Sequence, residues 1–221
     1  MNRYAMAKQL LFLFLLLTIQ LVNAQNIPLP NGYEIIEKVS GDLDKDSIAE
    51  LVVIYNTGKS DDSGLFREIQ VFKLSNKQWV LWKKSSAAIL QSEEGGMMGD
   101  PYQETLIQNG VLLIVHAGGN SWKWGHTDKY RFQKNEFALI GYSNDYGKPC
   151  EEWISFDFNV STGKIVYKKE YERCDELKEE QVIYKTETET FSHKGILLNL
   201  GNRQDQEIKI VSPRYKAEFY L

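Results

Sequence analysis

From Trp122 to Phe132 the chain alternates with a period of two. Trp122, Trp124, His126, Asp128, Tyr130 and Phe132 are interleaved with Lys123, Gly125, Thr127, Lys129 and Arg131. In an extended strand successive side chains point to opposite faces, so this run has one aromatic face and one basic or small face. Turn residues at Gln133–Glu136 lead into a second apolar run, Phe137–Tyr142, and the pair reads as antiparallel.

The same grammar recurs along the chain. Tyr33–Val39 and Leu51–Tyr55 flank an acidic loop, and the second is a continuous apolar run of the kind found in strands buried on both faces. Arg67–Leu74 and Gln78–Trp82 read as a hairpin about Ser75-Asn76-Lys77, and Val111–Ala117 as a buried strand closed by Gly118-Gly119-Asn120. Gln181–Phe191 alternates Thr with Glu and Lys, as expected of an edge strand guarded by charge. Ile196–Leu200, Glu207–Val211 and Ala217–Leu221 add three short apolar pieces. Only Ser85–Glu94 and Asp175–Gln181 offer short helices, and neither has a sustained apolar stripe. The expected fold class is mainly β: antiparallel sheets in a sandwich, barrel or blade-like stack, with little helix. The acidic loop occurs once, so a regular propeller of repeats is not expected.

The first 24 residues read as a cleavable signal peptide: Arg3 and Lys8 precede an apolar core from Leu10 to Val22, then Val22-Asn23-Ala24. That core of about 13 residues spans roughly 20 Å as a helix, short of the roughly 30 Å of a bilayer interior. Cleavage would leave Gln25 first, with no nearby cysteine to carry a lipid. The expectation is an exported protein, periplasmic or secreted, not inserted in a membrane, in which 221 − 24 = 197 residues (25–221) form one domain. Loss of two basic residues moves the formal charge from −4 to −6. An acidic chain without a basic stripe argues against nucleic acid as a partner.

Cys150 and Cys174 are the only cysteines. Export places them where disulfides persist. Trp153–Val160 and Lys164–Tyr171 read as a hairpin centred on Thr162, and 150 + 174 is twice 162, so without a bulge the two cysteines face each other across its open end. Directly opposed residues lie within disulfide reach.

The chemistry with the clearest pattern is in Gly41-Asp42-Leu43-Asp44-Lys45-Asp46-Ser47-Ile48-Ala49-Glu50. Carboxylates at loop positions one, three, five and nine, with a backbone carbonyl at seven, would let Asp42, Asp44, Asp46, Glu50 and the Ile48 carbonyl wrap a hard cation. Calcium, with six to eight oxygen ligands, suits such a loop better than magnesium with its strict octahedron. An EF-hand would need a glutamate at position twelve, which is Val53. The alternative is an acidic turn whose carboxylates accept from their own backbone amides. Three aspartates in five residues repel one another, which favours the metal.

These residues resemble the calcium loop of integrin-type FG-GAP and VCBS repeats, where D-x-D-x-D-G-x-x-D leads directly into an apolar strand. GDLDKDSIAELVVIY matches the three aspartates, the apolar seventh position and the strand, over about fifteen residues. More loosely, the single loop followed by IQVFKLSNKQWVLW is similar to exported bacterial proteins carrying one such unit. The resemblance implies a structural calcium ion. Ser47 stands where those loops have glycine, and a left-handed backbone costs a non-glycine residue roughly 1 kcal/mol or more. Glu50 stands where they have aspartate.

For catalysis the sequence is less forthcoming. His116, His126 and His193 are the only histidines and have no zinc-type spacing. Ser121 lacks a nucleophile elbow, because Lys123 occupies its second glycine. Glu93, Glu94 and Asp100 flank Gly95-Gly96-Met97-Met98-Gly99 and offer carboxylates for glycoside hydrolysis. Trp122, Trp124 and Tyr130 offer an aromatic ligand surface if their face is uncovered. The leading expectation is a non-catalytic binding domain with a structural calcium loop and an unknown protein or glycan ligand. The alternatives are a hydrolase acting on glycan or cell-wall material and a periplasmic inhibitor or immunity protein.

Overall fold

The computed structural model describes residues 26–175, 180–205 and 207–221, and the expected signal segment, 1–24, lies outside them. Thirteen strands occur among the described residues: β1 (Glu34–Gly41), β2 (Glu50–Asp61), β3 (Gly64–Ser75), β4 (Gln78–Ser85), β5 (Tyr102–Gln108), β6 (Val111–Gly119), β7 (Lys123–Gln133), β8 (Glu136–Lys148), β9 (Glu152–Asn159), β10 (Lys164–Asp175), β11 (Glu180–Ser192), β12 (Lys209–Val211) and β13 (Glu218–Tyr220). They form antiparallel sheets of four, seven and two strands, ordered β1-β2-β3-β4, β11-β10-β9-β8-β7-β6-β5 and β12-β13. Each strand of the two larger sheets pairs with its neighbour in sequence, so the main topology is two successive meanders.

Local chemistry accounts for the tight connections. Asn76-Lys77, Asn109-Gly110 and Lys134-Asn135 are two-residue turns with positive φ at both positions, the geometry that matches the twist of a hairpin. The continuous apolar run of β2 is buried on both faces. Val52 and Ile54 enter the main core with Ile69 and Val71, while Leu51, Val53 and Tyr55 join Phe72 in a smaller cluster on the other side. The main core fills the space between the four-stranded sheet and one face of the seven-stranded sheet, with Leu112, Ile114, Tyr130, Tyr142, Phe156 and Phe158 on the latter. The two-stranded sheet closes part of the same face: Ile210, Phe219 and Leu221 are core residues, and Phe219 stacks on Phe156 with centroids 4.1 Å apart. Burying a side chain of this size stabilises a fold by about 1.5–3 kcal/mol.

The facing edges of the larger sheets are latched by one side chain. Glu37 on β1 accepts hydrogen bonds from the Tyr102 hydroxyl and, at 2.8 Å, from the Thr105 backbone N–H on β5. Nearby, a Cβ on Gly41 would sit 2.6 Å from Ile107 Cγ2, so the glycine is what allows β1 this close to β5.

Several expectations need correction. Ser85–Glu94 is not helical: the segment crosses the core with Ala88 and Ile89 each 2% exposed, and Ser85 Oγ accepts from Ala87 N–H while donating to the Leu200 carbonyl. Burial of Ala88 and Ile89 in the main core decides its path, which its weak helix pattern does not reveal. The helix expected at Asp175–Gln181 is replaced at its ends by β10 and β11, and residues 176–179 lie outside the described ones. Ile196–Leu200 makes only a bridge, Ala138 to Asn199, because its Leu198 and Leu200 pair with the bulged stretch of β8 and not with a full strand. β5 carries Glu104 between Gln103 and Thr105, a polar start that hides its strand character.

The disulfide between Cys150 and Cys174 is present, with Cα atoms 5.0 Å apart. The register from which it was expected is not. β9 and β10 pair Glu152 with Tyr171, and continuing that register would put Cys150 opposite Arg173. Cys150 instead lies in the turn after β8 with φ of 67°, and this left-handed backbone brings it to Cys174.

Candidate functional site

The acidic loop joins β1 to β2. Lys45 and Ser47 both have left-handed backbone, φ 67° and 70°, so Ser47 adopts the conformation for which the resembling loops use glycine. The loop is knitted by its own carboxylates. Lys45 N–H and Ser47 N–H donate to the two oxygens of Asp42 at 2.6 and 3.0 Å, Asp46 N–H donates to Asp44 at 3.2 Å, and Ile48 N–H donates to Asp46 at 2.8 Å. These are the bonds of an acidic turn, and they leave each carboxylate with unused lone pairs.

Asp42, Asp44 and Glu50 each bring one oxygen to within 4.8 Å of the others. Asp46 is exposed and is not part of that group, and the Ile48 side chain is 49% exposed. Glu50 is 1% exposed, and its Oε2 accepts from Leu43 N–H at 2.7 Å, so the extra methylene carries the carboxylate back under the loop. Burial raises the Glu50 pKa, with Asp44 adding to the rise, while the Leu43 N–H and Lys73 oppose it. Lys73, on β3, pairs with Asp44 Oδ2, and its Nζ lies 4.1 Å from the centre of the Trp82 ring. The position of Lys73 beside the loop has no signature in the sequence, since it depends on the pairing of β2 with β3.

Further along, the Gly95–Asp100 loop and the Gly118–Trp124 turn meet. Gly119 N–H donates to the Gly95 carbonyl at 2.8 Å, and a Cβ on Gly118 would lie 2.7 Å from the same carbonyl oxygen. Of the three carboxylates there, Asp100 and Glu94 are engaged elsewhere, and Glu93 is exposed. Arg67 grips Asp100 with both terminal nitrogens, the Nη1 to Oδ1 distance being 2.7 Å. Burial alone would raise the Asp100 pKa, but Arg67 and the Tyr102 N–H hold it below the ordinary carboxylate value. Glu94 accepts from Gln91 N–H at 2.6 Å, and Ser121 Oγ reaches only its neighbour Asn120.

The histidines do not form a catalytic set. His193 lies in the segment after β11, while His116 and His126 are cross-strand partners with ring centroids 4.9 Å apart. His116 is 1% exposed and its Nε2 accepts from Leu90 N–H at 3.2 Å. Burial, with His126, Arg67 and Arg203 nearby, pushes its pKa down to about 3. Beside this pair, Arg203 Nε donates to Asp128 Oδ2 at 2.7 Å and Tyr130 donates to the same oxygen at 3.0 Å.

Tyr130 is therefore a correction to the aromatic surface. It is fully buried, because its end of β7 is covered by the four-stranded sheet and Arg203. Trp122 and Trp124 are half-buried at the other end of the same face. Trp122 stacks on Tyr146 with centroids 5.2 Å apart and planes 12° from parallel, and Trp124 stacks on His126. Tyr146 is 40% exposed and lines a groove of about 410 Å³ with Asn144, Ile154 and residues 217–220. Asn144 and Tyr146 continue the period-two face of Tyr142 and were within reach of pattern reading. The arrival of residues 217–220 opposite them was not.

Among known proteins, no family model, curated protein or solved structure matches this chain. Among the described residues no helix is long and apolar enough to cross a membrane.

Proposed function

We propose that this chain is an exported, non-catalytic binding domain that presents the Tyr146 groove to a ligand and carries one structural calcium ion in the Asp42–Glu50 loop. The observation that carries the binding reading is the Trp122–Tyr146 stack, since a partly exposed pair of parallel rings beside an apolar groove offers contact area at little entropic cost. The enzyme alternative is weakened by the bidentate hold of Arg67 on Asp100, which removes the best-placed loop carboxylate from acid-base work. The disulfide suits a periplasmic or secreted location.

Support for calcium comes from the convergence of Asp42, Asp44 and Glu50, with Lys73 as the one ammonium paired to the group among the described residues. One ammonium does not balance three carboxylates at such spacing, and a divalent cation would. In this reading the ion pins the β1–β2 connection. The resemblance to FG-GAP and VCBS loops points the same way.

Two measurements test the proposal. Thermal unfolding is expected to move to higher temperature with calcium and back with chelator, and the Asp44→Ala variant to lose the response; equal midpoints in all conditions would remove the ion. Binding is tested by NMR titration against soluble neutral and anionic oligosaccharides and proline-rich peptides. At least one class should shift Tyr146, Ile154 and the Trp122 indole, and silence of those residues towards every class would reject the groove. Cleavage of an oligosaccharide during the titration would establish the hydrolase instead.

A further inference from the structure

Resting on the binding reading above, we infer that the Tyr146 groove takes a neutral glycan, with a pyranose ring seated on the exposed aromatic face. The floor of the groove is apolar and aromatic. Tyr146, backed by Trp122 at 12°, gives a flat π surface, and Ile154 and an edge of the largely buried Phe219 line the groove beside it. The negative face of an aromatic ring attracts the weakly positive C–H groups on one side of a pyranose. Asn144 stands at the margin, and its amide both donates and accepts, as a sugar hydroxyl requires.

Charge selects a neutral ligand. Among the described residues Glu218 is the one charged residue lining the groove, and its carboxylate is paired with Lys209 at 2.7 Å and also accepts from the Tyr220 hydroxyl at 2.9 Å. Among the described residues no unbalanced cation lines the groove to receive a uronate, sulfate or phosphate, and the net acidic charge of the chain disfavours an anionic polymer at long range.

A peptide fits less well. Peptides dock beside sheets chiefly by adding a strand, which needs a run of free backbone donors and acceptors. The strand at the groove, β13, has three residues, and the Tyr220 carbonyl already accepts the Tyr142 hydroxyl at 3.4 Å. That leaves too little backbone for a ladder, whereas a sugar needs none.

The experiment titrates the disulfide-bonded protein with three probes: a neutral β-1,4-linked glucose hexamer, a galacturonate hexamer and a proline-rich peptide. Shifts of Tyr146, Ile154 and the Trp122 indole are followed by NMR and affinities by calorimetry. The neutral hexamer is expected to shift those residues, with an affinity that changes less than about twofold between about 0.05 and 0.5 M salt. Tyr146→Ala should weaken it at least about tenfold, as removal of an aromatic anchor does, and Tyr146→Phe should retain it. Unchanged thermal midpoints of both variants would show that lost binding is not lost folding; Tyr146 is exposed enough for that. Shifts with the galacturonate hexamer or the peptide but not the neutral hexamer would overturn the glycan inference and leave the binding reading standing. No shift with any probe would overturn both. Binding of the neutral hexamer that survives Tyr146→Ala would place it elsewhere and overturn the inference.

Discussion

Replacing Arg203 by leucine should be among the most damaging single changes available in this fold. Arg203 is 8% exposed and donates from Nε to Asp128 Oδ2 at 2.7 Å, while its guanidinium carbon lies 5.4 Å from the centre of the Tyr142 ring. Burial opposes its charge, yet Asp128 holds its pKa above the ordinary arginine value. Without it, Asp128, 1% exposed, keeps a single partner, the Tyr130 hydroxyl at 3.0 Å; its Oδ1 has none among the described residues. Breaking a buried ion pair by removing one member costs about 3–5 kcal/mol, because the other charge is stranded. With a urea dependence of roughly 2 kcal/mol per molar, the unfolding midpoint should fall by about 1.5–2.5 M at unchanged slope. Combining Arg203→Leu with Asp128→Leu should recover about half the loss or more, since two apolar groups replace two charges. A cost for Arg203→Leu below about 1 kcal/mol, or a double variant that is the sum of the singles, would refute the assignment of a buried, mutually dependent pair.

Three further changes test other parts of the fold. Replacing Cys150 and Cys174 together by serine should lower stability by about 3 kcal/mol, from closure of a 24-residue separation; mass measurement after alkylation without reductant should find no reactive thiol, and two modified cysteines would disprove the bridge. His116, held down to about 3, leaves the folded state uncharged where the unfolded chain is already protonated. Its contribution is therefore complete above about pH 6.5 and is lost as pH falls towards 3, by up to about 1.4 kcal/mol per pH unit. His116→Gln should flatten the acid limb of stability measured by urea unfolding between about pH 6 and 4, and parallel limbs would contradict the burial of a neutral imidazole. Ser47→Gly should raise stability by up to about 1 kcal/mol, because φ of 70° suits glycine; a lower melting temperature would show that the serine side chain matters more than the backbone.

What the sequence determined by itself is the part of the fold governed by neighbours along the chain. Period-two alternation made β7 visible, and the turns at 75–77 and 133–136 marked hairpins, because side-chain direction and turn geometry depend on a few adjacent residues. The three aspartates of the loop were legible for the same reason. Their partner Lys73, twenty-nine residues from Asp44, was not. Which end of the aromatic face is covered was also beyond the pattern: Tyr130 and Trp122 occupy equivalent positions in the alternation, and only the packing of the four-stranded sheet and Arg203 over one end buries the first and leaves the second half-buried against Tyr146. The cysteines show the division most sharply. Compartment and spacing announced a bond, whereas a one-residue difference in register and a left-handed backbone at Cys150 decided how it is made. Burial, register and long-range pairing are settled by competition among all the apolar surfaces of the chain at once, and no local window contains that information.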